Sequence, residues 1–133
     1  MFSHYNPNPQ GNRVGDCVVR AVSKAVDKSW EDTYIELTIQ GYIMGDLLSS
    51  NGVWGAYLRA NGFDRGVVSA DCPDCYTVAD FANEQDSGVF VVGTGTHAVC
   101  IVDGVIFDAW DSSAERPVYF YHKNNYKHER GAE

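Results

Sequence analysis

Hydrophobic residues recur at helical spacing along the first half of the chain. The stretch CVVRAVSKAV places a valine at every fourth position, and Asp16 just before it is a preferred N-cap residue. This pattern predicts a first helix that begins at or next to Cys17 and ends near Asp27. The preceding segment, 1–15, is rich in Asn, Pro and Gly and has no hydrophobic period, so it is predicted to be a loop.

Two more helices are predicted in this half of the chain. Ser29 and Asp32 resemble a short capping box, and they open a helix over WEDTYIELTIQG. A third helix is predicted over SSNGVWGAYLRANG, where the final Asn-Gly pair is a typical C-terminal stop. Each of these segments has apolar residues along one side, which indicates that the helices pack on a common core.

The hydrophobic period then changes to two. The predicted strands are short runs rich in Val, Ile and aromatic residues, namely GVVSA, GVFVVG, THAVCIV, VIFDAW and PVYFYH. A short helix, TVADFANEQ, follows the first of these runs and is capped by Thr77. Asp103-Gly104, between the third and fourth runs, is a strong signal for a β-hairpin.

Helices followed by consecutive strands are typical of an α+β fold. We predict N-terminal helices packed on a C-terminal antiparallel sheet. The chain has no internal repeat and no linker, so residues 1–133 are predicted to form one domain. Residues 122–133 are polar and mildly basic, and they are predicted to form a flexible tail.

Composition and charge narrow the class of function. Of the 133 residues, 44% are hydrophobic and 21% are charged, as in ordinary globular domains. The formal charge of -8, without a basic stripe, would repel phosphate backbones and anionic lipids, so neither nucleic acid nor a membrane is an expected partner. No apolar run approaches the ~20 residues of a membrane span or resembles a secretory signal, which favours the cytoplasm.

The chain has four cysteines, Cys17, Cys72, Cys75 and Cys100. A chain of this size can fold without disulfides, so reduced thiols are expected. Cys72 and Cys75 have the spacing of half a zinc site or of a redox pair, but His97 and Cys100 would point to opposite faces of a strand and could not complete a zinc site. We therefore expect an unpaired turn there and no metal, with zinc and a labile disulfide as the alternatives.

Cys17 stands where a thiolate would be stabilised. The free N–H groups and the dipole at the start of a helix lower the pKa of a thiol, and a nearby imidazolium lowers it further. Of the four histidines, only His97 opens a central predicted strand. Cys17 and His97 are therefore a candidate nucleophile and base, with a buried core cysteine as the ordinary alternative. Arg20, one turn after Cys17, is expected to pair with Asp16 or another acid.

The predicted hairpin suggests a third member of this site. If Asp103-Gly104 is a two-residue turn, the pairing places His97 and Asp108 on one face of the sheet as diagonal neighbours. Asp111 would fall on the other face, although a bulged turn would reverse the choice. Asp108 is therefore the favoured partner of His97, and Asp111 is the alternative.

A Cys at a helix start, then a His on a strand, then an Asp on the next strand is similar to the chain order of the papain-like cysteine peptidases. GDCVVRA and HAVCIVDGVIFDAWD also resemble small papain-like proteins of phages and bacteria, and the order of elements is similar to that of the peptidases that remove double-glycine leaders from bacteriocins. The resemblance implies a papain-like fold, a peptide or protein substrate and no cofactor. It assigns Cys17 as nucleophile, His97 as base and then acid, and Asp108 as the orienting acid. In a phage protein, the cytoplasm would be that of the host.

The resemblance also implies a side-chain amide upstream of the cysteine, which would hold the oxyanion together with the Cys17 N–H. Asn12, five residues upstream, is the main candidate, and Gln10, seven residues upstream, is one residue beyond the usual spacing. This misplaced Gln favours an alternative function, a catalytically inactive papain-like protein that sequesters a ligand or blocks a host factor. An active triad would equally serve deamidation, transglutamination or the removal of ubiquitin-like tags.

Overall fold

Helices cover both faces of a mixed β-sheet in the computed structural model of the protein, which describes residues 1–12, 15–72 and 74–123. In these ranges the helices are α1 (Cys17–Val26), α2 (Trp30–Met44), α3 (Asn51–Ala60) and α4 (Val78–Glu84). The strands are β1 (Phe2–His4), β2 (Phe63–Val67), β3 (Val89–Gly93), β4 (Ala98–Val102), β5 (Val105–Asp108) and β6 (Tyr119–Lys123). The α+β class and the predicted helices are confirmed.

The helix starts follow the predicted capping pattern with one exception. Ser29 accepts a hydrogen bond from the Asp32 N–H at 3.1 Å, and Thr77 forms a full capping box at the start of α4. Asp16 does occupy the N-cap position of α1, but its carboxylate binds Arg20 and Trp30 instead of the helix N–H groups. The first N–H groups of α1 are therefore left for other acceptors.

The sheet has the strand order β1-β5-β4-β3-β6-β2. The prediction of a purely antiparallel sheet is wrong, because β1 pairs with β5 in parallel. The prediction of a loop over 1–15 is also wrong at its start, where β1 forms the edge of the sheet. At the other end, β6 includes His122 and Lys123, so the predicted tail begins later than expected, and 124–133 lie outside the described residues. The strand predicted over GVVSA is displaced, since β2 is Phe63–Val67.

The β4–β5 hairpin has the predicted register. Cys100 pairs with Phe107 and Val102 with Val105, which leaves Asp103 and Gly104 as the two turn residues. Both turn residues have positive φ, 50° and 78°, as a tight hairpin turn requires. The turn therefore has no bulge, and the face assignments made from the sequence apply.

The core lies on both sides of the sheet. Val22, Leu37 and Leu58 of the first three helices are fully buried against one face, and α4 packs against the other. Successive residues of β3 alternate between the two faces of the sheet, with Val91 on the face of the first three helices and Val92 on the face of α4. The central strands are thus buried on both faces, and the Cys17 end of α1 lies over the sheet beside β4. None of the helices in the described ranges is long and apolar enough to cross a membrane.

Cys72 and Cys75 form a disulfide. This corrects the expectation of reduced thiols and an unpaired turn at these two positions, and it selects one of the alternatives considered for them. Cys17 and Cys100 are free thiols. Among the described residues, no group of three or more His, Cys, Asp or Glu side chains is placed to hold a metal ion.

The sheet packs tightly around Gly93, beneath α3. A Cβ at this position would overlap the Tyr119 ring, which is held by Trp54 stacked at 5.9 Å. We expect Gly93→Ala to lower the free energy of unfolding by about 1–3 kcal/mol, measured by urea denaturation. Gly52→Ala is the matched control, because a Cβ there meets open space on a helix, and it should be neutral or stabilising. Equal stability of both variants would contradict this account of the packing.

Candidate active site

His97 and Asp108 are in direct contact. His97 closes a tight turn between β3 and β4, in which the Thr94 N–H donates to the His97 carbonyl at 2.9 Å. Asp108 is the last residue of β5, and its Oδ2 lies 2.6 Å from His97 Nε2. With Nε2 donating to Asp108, Nδ1 is the ring nitrogen left for a second partner.

Asp111, the alternative partner of His97, lies elsewhere. It is exposed, and its carboxylate accepts hydrogen bonds from the N–H and the hydroxyl of Ser113. Trp110 lies nearer, with its ring centroid 4.8 Å from that of His97. The Trp110 ring therefore covers part of the imidazole and limits its access to water.

Cys17 is the first residue of α1 and lines one cavity together with His97. This cavity has a volume of about 300 Å³, and Trp54 and Tyr119 form part of its wall. The thiol is half-buried, with the backbone of Ala98 beside it. The helix start supplies the Cys17 N–H, which has no acceptor within the helix. The structure thus brings Cys17, His97 and Asp108 together in one arrangement.

The pKa values of Cys17 and His97 move in opposite directions. Burial alone would raise the pKa of the Cys17 thiol, but hydrogen bonds from His97 and the Ala98 N–H and the charges of His97 and Arg20 hold it below its ordinary value. Burial alone would lower the pKa of His97, but its hydrogen bonds to Asp108 and Cys17 and their negative charges raise it to about 9. The two shifts therefore favour a thiolate beside an imidazolium over a neutral thiol beside a neutral imidazole.

Asp108 is a buried carboxylate with a full set of donors. Only 1% of it is exposed. Its Oδ2 accepts from His97 and from the Ser112 hydroxyl at 2.7 Å, and its Oδ1 accepts from Ala109 N–H at 2.8 Å and from Arg20. Burial alone would raise the pKa of Asp108, but the hydrogen bonds from His97 and Ser112 and the His97 charge hold it below its ordinary value. The carboxylate is therefore ionised and fixed in place.

Arg20 connects this carboxylate to a second one. Its Nε and Nη2 lie 3.2 and 3.0 Å from Asp108 Oδ1, and its Nη1 lies 2.6 Å from Asp16 Oδ1. Asp16 Oδ2 in turn accepts from Trp30 Nε1 at 2.9 Å. The predicted pairing of Arg20 with Asp16 is confirmed, and the pairing with Asp108 is an addition that the sequence did not reveal.

The two amides predicted for the oxyanion site lie beside a different cavity. Gln10 and Asn12 are both exposed and line a neighbouring cavity of about 600 Å³. The side-chain amide that lines the Cys17 cavity is that of Asn51, the first residue of α3. Trp54 Nε1 donates to Asn51 Oδ1 at 3.2 Å, which leaves the Asn51 NH₂ group available as a donor.

The two cavities adjoin each other. Gly15 and Ser49 line both, so the Cys17 cavity continues into the larger one. Trp30, Tyr34 and Leu48 contribute apolar surface to the larger cavity. The result is an extended depression with Cys17 and His97 in one part of it.

Cys100 has no part in this arrangement. It is fully buried within β4, where burial raises the pKa of its thiol to about 12. A thiol in this environment stays protonated and unreactive. Of the two free thiols, Cys17 has the lowered pKa and Cys100 the raised one.

No family model, curated protein or solved structure matches the chain in comparisons with known proteins.

Proposed function

We propose that this protein is a papain-like cysteine hydrolase that cleaves a peptide or amide bond through an acyl-enzyme intermediate. One observation carries the proposal: a half-buried thiol at a helix start lies beside an imidazole whose other nitrogen is held by a buried carboxylate. The nucleophile and the base line one cavity, and the orienting carboxylate is in hydrogen-bond contact with the base, which is the arrangement used in covalent acyl transfer.

In the proposed reaction, the Cys17 thiolate attacks the substrate carbonyl carbon and forms a tetrahedral intermediate. His97, protonated at the outset, gives a proton to the leaving amine as the C–N bond breaks, and a thioester remains on Cys17. The neutral imidazole then takes a proton from water as the water oxygen attacks the thioester carbonyl carbon. The C–S bond breaks, the carboxylic acid product leaves, and the thiolate of Cys17 and the imidazolium of His97 are restored. Asp108 fixes the orientation of the imidazole and stabilises its positive charge during both steps.

Two donors support the oxyanion in this proposal. One is the backbone N–H of Cys17, which the helix start leaves without an intrahelical acceptor. The other is the NH₂ group of Asn51, which lines the same cavity and is oriented by Trp54. Asn51 thus takes the role that the sequence suggested for Asn12 or Gln10.

The shape of the depression supports a peptide or protein as substrate. An acyl group bound beside Cys17 could extend past Gly15 and Ser49 into the larger cavity, which offers apolar side chains and exposed amides. A small amide would leave most of this surface unused. The formal charge of -8 also makes an acidic polymer a poor partner.

One observation favours the alternative, an inactive papain-like protein that binds a peptide or a host factor. The upstream amides Gln10 and Asn12, which the resemblance would place at the oxyanion, line the neighbouring cavity instead. A binding protein needs the depression but not a reactive thiolate. The two functions therefore differ in the chemistry of Cys17.

The rate of iodoacetamide labelling at each cysteine, followed by mass spectrometry from pH 4 to 9, tests this proposal. We expect Cys17 to react well below the ordinary thiol pKa of ~8.5, because its thiolate is stabilised. His97→Ala should slow Cys17 labelling at pH 6 by about ten-fold or more, since the imidazolium is lost.

Cys100 provides an internal control, because its buried thiol should stay unlabelled in the folded protein. His122→Ala is the matched histidine control. Its imidazole stacks on Phe90 in β3, away from Cys17, and its removal should leave labelling unchanged. A Cys17 that is inert, or that reacts equally with and without His97, would rule out the hydrolase and leave the binding function.

A further inference from the structure

Arg20 is a buried cation that bridges two buried carboxylates. Only 5% of the residue is exposed, and its guanidinium lies between Asp16 and Asp108. It uses separate nitrogens for each partner, at 2.6 Å to Asp16 and 3.0 Å to Asp108. The planar guanidinium donates these hydrogen bonds from Nε, Nη1 and Nη2 in a fixed fork geometry, which the compact ammonium of a lysine does not reproduce.

A buried ion pair is by itself weak evidence of a contribution to stability. Removing two charges from water costs several kcal/mol per ion, and well-packed apolar residues are often as good or better. The placement of this pair suggests a different role. Arg20 occupies Oδ1 of Asp108, which leaves Oδ2 to His97.

We infer that Arg20 is a positioning residue for His97, acting through Asp108, and that Asp16 and Trp30 hold Arg20 for this purpose. This inference rests on the proposed function only for its catalytic consequence. The chain of contacts runs from Trp30 Nε1 to Asp16, from Asp16 to Arg20, from Arg20 to Asp108 and from Asp108 to the imidazole.

The change in the pKa of His97 on removal of Arg20 tests this role. A guanidinium beside Asp108 offsets part of the negative charge that His97 experiences, so Arg20 makes the imidazolium easier to deprotonate. If Asp108 stayed in place without Arg20, only the positive charge would be lost and the pKa of His97 would rise. A positioning role predicts the opposite sign, because Asp108 without Arg20 is free to move, its contact with His97 weakens and the pKa of His97 falls.

Other titratable groups border this region and must be kept unchanged in the test. Cys17 and Lys24 lie on α1, and Asp16 is its N-cap residue. On the N-terminal segment, His4 pairs with Asp108 in the sheet register, and the Tyr5 ring lies beside Lys24. From β6, Tyr119 faces the Cys17 cavity, and from α2 the contact is the neutral Trp30 indole. Because Cys17 interacts directly with His97, its thiol has to be absent when His97 is titrated.

The test is the titration of His97 by NMR in a Cys17→Ala background, with and without Arg20→Gln. We expect Arg20→Gln to lower the pKa of His97 by about 1 unit, the lower end of the effect of one nearby charge, because the contact with Asp108 weakens. Arg59→Gln, which removes an exposed arginine from α3, is the matched control and should leave the titration of His97 unchanged. An unchanged or raised pKa of His97 in folded Arg20→Gln would overturn the inference.

Arg20→Lys keeps the test decisive if Arg20→Gln fails to fold. The ammonium keeps the charge but does not reproduce the hydrogen-bond geometry of the guanidinium fork to both carboxylates, so the pKa of His97 should again fall and its Nε2 proton should exchange faster with solvent than in wild type. Exchange as slow as in wild type would contradict a positioning role. This outcome is independent of the proposed hydrolase, which is tested by the labelling rate of Cys17. If Cys17 is labelled slowly but Arg20→Gln still shifts the pKa of His97, Arg20 is a positioning residue in a protein that is not a hydrolase.

Discussion

Asp108→Ala is expected to lower the free energy of unfolding by roughly 3–5 kcal/mol, because it removes one partner of a buried ion pair and leaves the other charged. Arg20 would lose the acceptor for its Nε and Nη2, and Ser112, which is fully buried, would lose the acceptor for its hydroxyl. Urea denaturation at pH 6 measures the change. The loss would exceed that of an ordinary surface substitution several-fold.

Asp111→Ala is the matched control for this experiment. Asp111 is also an aspartate after β5, but it is exposed and bonded to Ser113, so its removal should change stability by about 0.5 kcal/mol or less. A similar loss in both variants would show that Asp108 does not hold the buried network together.

The difference between wild type and Asp108→Ala should also depend on pH. The pKa of Asp108 is lowered in the folded state, so its contribution is present above the ordinary value of ~3.9 and is lost as pH falls through the folded-state pKa. The pKa of His97 is raised to about 9, so its contribution is present in full below the unfolded value and is lost as pH rises through about 9. The stability difference should therefore be largest from about pH 4 to 6.5, between the ordinary values of the two groups.

Local patterns predicted the parts of the site that lie on regular elements or next to their ends. The hydrophobic period and Asp16 placed Cys17 at a helix start, and the Asp103-Gly104 turn fixed the register that brings His97 to Asp108. Side chains two apart in a strand share a face, so a correct turn was enough to choose Asp108 over Asp111. This part of the geometry follows from sequence-local rules.

The parts that the sequence did not predict depend on contacts between distant segments. The three-residue strand β1 is defined by its parallel pairing with β5, and no local period distinguishes it from a loop. The four-residue spacing of Asp16 and Arg20 predicts their ion pair, but Arg20 and Asp108 are 88 positions apart and no local pattern predicts their contact. The Cys72–Cys75 disulfide likewise could not be chosen over a free turn from spacing alone.

Asn51 was missed for the same reason. It lies 34 positions after Cys17 in the sequence, and it lines the Cys17 cavity because α3 packs beside α1. The only local signal was the spacing of Asn51 and Trp54, three residues apart on a helix, which allows the indole to orient the amide. That signal has meaning only when the cavity is known.

Asn51→Ala is therefore expected to separate the two properties of the site. An oxyanion forms when Cys17 attacks an ester carbonyl but not when it is alkylated, so the substitution should slow acylation by p-nitrophenyl acetate about 10²–10³-fold and leave iodoacetamide labelling of Cys17 unchanged. The ratio of the acylation rate to the alkylation rate, measured on one preparation, cancels any change in the reactivity of the Cys17 thiolate itself. Loss of the amide should leave α3 intact, because alanine is a good helix former.

Asn12→Ala and Gln10→Ala are the matched controls, since each removes an exposed side-chain amide from the neighbouring cavity. Both should acylate at the wild-type rate. If Asn12→Ala or Gln10→Ala slows acylation while Asn51→Ala does not, the upstream segment supplies the oxyanion donor, as the resemblance to papain-like peptidases implies. If only Asn51→Ala slows it, the donor comes from α3, and the site performs acyl transfer with an amide placed by packing between helices.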